Sequence, residues 1–313
     1  MNSRPLISLC IPTYNRNEIL RYVLQCFIAN KEFDDEVELV ISDNCSTDET
    51  QQTGEEFARK YSNIKYYRNI KNIHDQNFVS VLDRGEGQYL KLLNDWSYIT
   101  EDGLRFMKQS LKENLNEHNL LFFTNNYIFT DRKQLINYCT SMDDYMQVVS
   151  TYSTSNNIFG VWRDDWPKIV DKQRYSELKL QQVDWTYQLL KMYDGKCVIY
   201  DYKIMGAAPL KRKNSGYNWF KVHLDNYYTI LEPYIKEGLI SPETLLQDKH
   251  YLLQHFTPEL RRTFHLTRRH GWNFDTDGTW KILMKYYKND PYFYYFMLTL
   301  PLQKYIQRRK HRW

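Results

Sequence analysis

The chain has 313 residues, a net charge of +4, 26% charged residues and 42% apolar ones, which excludes a disordered chain and leaves room for a full core, or one core and an appendage. A charge that small excludes a dedicated nucleic-acid binder. The five cysteines, Cys10, Cys26, Cys45, Cys139 and Cys197, are odd in number and lack C-x-x-C spacing, which argues against a disulfide framework or structural zinc and for a reducing cytosol.

Met1 to Arg4 lead straight into a strand-like segment, so no signal peptide is expected. Leu6 to Ile11 is a short apolar run closed by Pro12, which predicts a buried strand. Asn15 to Asn30 follows with Ile19, Leu20, Val23, Leu24 and Phe27 at helical spacing. Val37 to Ser42 predicts a second strand. Thr47 to Tyr61 predicts a helix after the acidic pair Asp48 and Glu49. Ile64 to Tyr67, Tyr89 to Leu93 and Leu120 to Thr124 read as further strands. Asn77 to Asp83 and Asp102 to Asn116 read as the helices between them. This alternation predicts an α/β fold with a mainly parallel sheet flanked by helices. Ligands of such sheets bind beyond the carboxyl ends of the strands, so Pro12–Tyr14, Asp43–Ser46 and Asn94–Ser97 should meet on one edge.

The pattern changes near Ala208. A basic loop, Lys211-Arg212-Lys213, precedes helical segments at Val222 to Ile235, Pro242 to His255 and Trp280 to Tyr287. The longest apolar run, Tyr292 to Leu302, is too short to cross a bilayer. It leads into Lys304, Arg308, Arg309, Lys310 and Arg312. An aromatic stretch with a cationic end suits an anionic membrane surface, and equally a terminal helix docked on protein. The chain's 27 Tyr and 8 Trp suit either sugar-stacking faces or an aromatic core.

Three strand ends carry a resemblance: Pro12-Thr13-Tyr14-Asn15-Arg16, Asp43-Asn44-Cys45-Ser46-Thr47-Asp48 and Leu92-Leu93-Asn94-Asp95. In this order, over residues 5–205, the series resembles the family 2 glycosyltransferases of the GT-A, Rossmann-like fold, with their P-T-Y-N-R, D-N-x-S-x-D and L-x-x-D-D-D motifs. The resemblance implies donor binding by Thr13, Tyr14, Asp43 and Asp95, with Pro12 and Asn94 beside them. The chemistry of the residues agrees. Asp43 can accept a base N–H, Pro12 to Tyr14 offer a flat edge, and Arg16 can meet a phosphate at a helix start. The alternative for Asp43 and Asp48 is turn and capping chemistry, which Asp48 fits better.

The third motif departs from the family, whose D-x-D places its last carboxylate on a divalent metal. Here the run is Asp95-Trp96-Ser97, and a serine hydroxyl is a poorer ligand for a hard cation than a carboxylate. Asp95 with two diphosphate oxygens could hold Mg²⁺ or Mn²⁺ weakly. Alternatively, Lys211, Arg212 and Lys213 replace the metal at the phosphates, or form an ordinary solvated loop. Val183-Asp184-Trp185 looks like the family's E-D pair at a helix start, which implies Asp184 as catalytic base of an inverting transfer; Asp164 and Asp165 are the fallback. Asn156 to Arg163 matches a stretch that borders the acceptor, which makes Trp162, Arg163 and Trp185 candidate acceptor contacts, with core packing the alternative for the tryptophans. Asn72, His74 and Asn77 lie in a segment that touches the donor in relatives.

The expectation is thus a donor-binding catalytic domain over residues 1–207 and a helical extension over 208–313. The expected activity is transfer of a sugar, uridine-linked by preference, to a glycan or lipid-linked glycan in capsule or lipopolysaccharide assembly. The expected place is the cytoplasm, at the inner face of the membrane if the tail binds there. A non-catalytic sugar-nucleotide or glycan-binding protein with a degenerate metal site is the alternative. A dehydrogenase is disfavoured because no G-x-G-x-x-G follows the first strand.

Overall fold

The computed structural model describes residues 4–126, 128, 135–209, 216–268 and 272–303. The chain divides into two compact units, Met1–Lys211 and Arg212–Trp313.

The first unit alternates β1 (Ile7–Thr13), α1 (Asn17–Ile28), β2 (Val37–Asp43), α2 (Thr50–Lys60), β3 (Ile64–Arg68), α3 (Gln76–Asp83) and β4 (Tyr89–Leu92). There follow β5 (Ser97–Ile99), α4 (Glu101–Asn114), β6 (Leu121–Phe123), β7 (Ile136–Cys139), α5 (Met142–Val149), β8 (Gly160–Trp162), α6 (Gln181–Met192), β9 (Cys197–Tyr200) and β10 (Met205–Ala207). The central sheet has the order β3-β2-β1-β4-β8; its first four strands are parallel and β8 runs antiparallel to β4. Such a sheet is covered on both faces, which is why β2 is buried at every position, including Glu38, Ser42 and Asp43 beside its apolar residues. The helices match it: α1 buries Ile19, Leu20, Val23, Leu24 and Phe27 against the strands.

Chain order reverses direction across the sheet between β1 and β4. β2 and β3 are laid down on one side of β1, β4 and β8 on the other. The carboxyl ends of β1 and β4 therefore flank a switch point, the crevice where open α/β sheets take ligands. A small sheet, β6-β9-β7, sets Cys139 opposite Cys197, and β5 pairs with β10.

The second unit is helical. A π-helical turn, Lys221–Asn226, runs into α7 (Tyr227–Lys236), followed by α8 (Pro242–His255), α9 (Thr257–Thr263), α10 (Thr279–Tyr287) and α11 (Pro291–Thr299). Ser241 caps α8 and Asp290 caps α11 through their side chains. Asp225, on the π turn, joins Lys221, Lys285 and Tyr286. Burial pushes its carboxyl up, but these hydrogen bonds outweigh it and hold the group at about 2. Among the described residues, no helix is long and apolar enough to cross a membrane.

Candidate functional site at the carboxyl edge of the sheet

The three motif loops converge as their strand ends require. The Asn44 N–H donates to Thr13 O at 2.9 Å, the Asn15 N–H to Ser46 Oγ at 2.9 Å, and the Thr13 hydroxyl to Asp95 Oδ2 at 3.1 Å. Asn15 takes a positive φ of 52°, a conformation asparagine tolerates, and this turns the chain from β1 into α1. Tyr14, 43% exposed, stands at the rim with a free aromatic face.

Asp43 has no exposure. One carboxylate oxygen accepts from both the backbone and the hydroxyl of Ser46; the other accepts from Tyr66 OH at 2.7 Å and faces Arg68 Nε at 3.7 Å. Three hydrogen bonds and a loose ion pair thus make Asp43 an anchor of the loop, and in this arrangement they leave little of its acceptor capacity for the expected base N–H. Asn44 holds the neighbouring loop, accepting from Ile73 N at 2.8 Å and donating to His74 O at 3.1 Å. Asn77 is buried between Ser42 and Asn69, and Asn72 accepts from His74 N, so these residues build the loop. Cys45, half-buried, adopts φ 63°, and its thiol meets Ile70 O.

Asp48 does the capping its position suggests, accepting from Thr50 N at 3.0 Å and Asn17 N at 3.2 Å. With the Arg16 N–H given to Thr50 Oγ1, two backbone donors at the start of α1 are engaged. The Arg16 guanidinium lies 3.8 Å from Asp95. Burial drives the Asp95 carboxyl up to about 6, against the lowering influence of Arg16 and Thr13.

The Asn94–Ser97 turn is held by a residue that sequence reasoning passed over. Asn157 Oδ1 accepts from Asn94 N at 2.7 Å, and Asn157 Nδ2 donates to Ser97 Oγ at 2.9 Å. Lys91, in the middle of β4 with no exposure, donates to the carbonyls of Asn157 and Phe159. Burial pulls its ammonium down to about 7. Ser97 is 1% exposed, its hydroxyl turned inward. Among the described residues, no group of three or more His, Cys, Asp or Glu is placed to hold a metal ion. One carboxylate facing a guanidinium, beside an inward hydroxyl, does not fit a divalent cation.

Asp184 sits in the first turn of α6, its side chain 2% exposed. Arg174 grips it through both nitrogens of a fork, and Gln188 donates at 2.8 Å. The start of α6 lies against the loop before α3, because Gln181 Nε2 donates to Asp75 O at 2.7 Å. Asp75, also unanticipated, has its carboxyl pushed up by burial.

The candidate acceptor contacts are corrected. Trp162 is buried edge-on to Tyr89, and its indole donates to Asn119 O. Trp185 is buried against Trp166 and Phe159, donating to Lys172 O. Neither has a face to offer a sugar. Because β8 runs antiparallel, Arg163 lies at the amino end of β4, bonded to Gln88 O and Gly85 O. Asp164 and Asp165 follow it on the edge opposite the motif loops, and Asp165 is bound by Lys168, His118 and Tyr193. Lys211, Arg212 and Lys213 lie outside the described residues.

A model of the family described as glycosyl transferase family 2 matches residues 8–204, more than half of the chain. The chain belongs to glycosyl transferase family 2. Among curated relatives, it is 34% identical over 108 residues to abequosyltransferase RfbV of Salmonella typhimurium, covering 34% of this chain and 32% of that protein. It is 28% identical over 111 residues to a Campylobacter jejuni enzyme, GalNAc(5)-diNAcBac-PP-undecaprenol beta-1,3-glucosyltransferase, covering 35% of each. The matched stretch is thus about a third of each relative's length. In fold, this family 2 member resembles S. aureus TarS, with a TM-score of 0.54 at 17% identity over 96% of this chain and 52% of TarS. Against TarS 1-349 solved in complex with UDP the TM-score is 0.51 at 19% identity, over 87% of this chain and 73% of that one. The fold is GT-A, with a helical C-terminal extension.

Proposed function

We propose that this chain transfers a sugar from a nucleoside diphosphate to a hydroxyl of a glycan or lipid-linked glycan, with inversion at the anomeric carbon. The observation that carries the reading is the joining of the three motif loops at the switch point, through Thr13 to Asp95 and Asn15 to Ser46. Uridine diphosphate is our choice of donor, on the likeness to TarS, which was solved with UDP. A place in surface-polysaccharide assembly follows the names of the curated relatives. The residues before Lys211 form the catalytic domain in this reading. The basic tail beyond residue 303, outside the described residues, would bring the chain to the inner membrane face.

Tyr14 stacks on the base, Pro12, Thr13 and Asn94 line the donor, and Arg16 faces its diphosphate. The acceptor oxygen attacks the anomeric carbon, its proton passes to Asp184, and the bond to the diphosphate breaks with the electron pair leaving on the nucleotide. Asp184 is the carboxylate at the matched position, on a helix start against the loop before α3. Pairing with Arg174 in a ligand-free arrangement does not disqualify a base, since catalytic hydrogen bonds reorganise in the bound complex.

Asp184→Asn should keep donor affinity while lowering transfer by about 10²–10⁴-fold, the worth of a general base. Donor binding is followed by calorimetry and transfer by nucleotide release. Substantial turnover in that variant would remove Asp184 from the role. The closed Asp184–Arg174 pair and Ser97 also favour a second reading, a binding protein without turnover. Donor binding by the unaltered chain with no release of nucleotide, across acceptors extracted from bacterial envelopes, would support it.

A further inference from the structure

The turn on which relatives with the D-x-D motif seat a divalent cation is built here from other parts. A side-chain amide, that of Asn157, ties Asn94 to Ser97. The hydroxyl at the position of the metal-binding carboxylate is buried and already bonded. The remaining carboxylate, Asp95, takes a hydrogen bond from Thr13 and lies 3.8 Å from the Arg16 guanidinium. A dication on Asp95 would therefore be set against the Arg16 charge, which already lies 3.8 Å from the same carboxylate. The opening of α1 supplies less relief than a bare helix start, because Asp48 and Thr50 take its first N–H groups.

We infer that the donor diphosphate is bound without a divalent metal, the Arg16 guanidinium supplying the positive charge. The inference rests on the donor reading above. Arg16 is suited to the task. Its Nε lies 3.8 Å from Asp95, a loose ion pair that keeps the guanidinium beside the turn, and among the described residues its Nη atoms make no hydrogen bond. That leaves two nitrogens able to take phosphate oxygens side by side, a geometry lysine does not reproduce. As the bond to the sugar breaks, charge grows on the diphosphate, and a cation already in place stabilises it without rearrangement.

The test titrates the full chain with UDP, dTDP and GDP by calorimetry, each in EDTA and again in Mn²⁺. One nucleotide should bind with the same Kd in both buffers. Arg16→Gln should weaken it by about tenfold to a hundredfold in EDTA, the worth of a charged hydrogen-bond pair. Arg16→Lys, which keeps the charge and loses the fork, should fall between, and so separates lost charge from lost fold. Binding that appears only with Mn²⁺, or an Arg16→Gln chain that binds as tightly as the parent in EDTA, would overturn the inference and leave the donor site standing. No binding of any nucleotide in either buffer would overturn the donor reading, and this inference with it.

Discussion

The loop after β2 and the turn after β4 lie side by side on one edge of the sheet, and each centres on an aspartate, Asp43 fully buried and Asp95 partly so. They are held to different degrees. Asp43 accepts three hydrogen bonds, from Ser46 and Tyr66, and faces Arg68. Asp95 has one hydrogen bond and a loose ion pair, and burial leaves its carboxyl at about 6. A carboxylate with most of its lone pairs engaged serves structure first; one with more capacity to spare is more open to a ligand. Motif matching gives the two residues the same standing, and their surroundings separate them.

Substitutions can break that contrast, and the largest effect should come from Asp43. Asp43→Ala removes the three hydrogen bonds from Ser46 and Tyr66 and should cost about 3–5 kcal/mol, the worth of several bonds to a buried charged group. The measurement is the urea midpoint; a change near zero would mean that the loop does not depend on its anchor. Asp95→Asn should go the other way. A folded carboxyl raised to about 6 is favoured in its protonated form. Its contribution to stability is therefore greatest below the unfolded value of about 3.9 and falls as pH rises through 6. The neutral amide removes that penalty, so the variant should gain about 1–3 kcal/mol at pH 7 while losing donor affinity. Equal or lower stability at pH 7 would show that the Arg16 pair outweighs burial.

A pH-dependent effect sharpens the picture of how the β4 turn is backed. Lys91 is held down at about 7 by burial, so the unfolded chain binds the extra proton between pH 7 and about 10.4, and folding gains stability across that window as pH rises. The slope from one such group is at most about 1.4 kcal/mol per pH unit. Lys91→Met should remove this part of the slope, read as the difference between the two chains' urea midpoints from pH 7 to 10. Parallel profiles would return Lys91 to an ordinary charged state.

The sequence marks β1 to β4 and the helices between them to within a few residues, because a strand buried on both faces and an amphipathic helix write different periods into the chain. It does not mark β5, β7, β8, β9 or β10. These have three or four residues each, and β7 leaves Tyr138 73% exposed. Such strands exist through distant partners, which no local pattern records. The site divides in the same way. That Thr13, Ser46 and Asp95 would meet follows from strand ends. That Tyr66 and Arg68 would face Asp43, or that Asn157 would reach back some sixty residues to clamp Asn94 and Ser97, depends on tertiary packing. Trp162 and Trp185 mislead because a tryptophan carries the same letter whether it stacks on a sugar or fills a core.

Cys45 gives the donor edge a practical use. Cys10, Cys139 and Cys197 are buried, which leaves Cys26 and Cys45 as the half-buried thiols. In a Cys26→Ser background, a small maleimide dye would fall on a single loop, between the Asp43 anchor and the rim proposed to face the nucleotide. Its emission could then follow ligand arrival in real time, with no need for a radioactive sugar or a known acceptor.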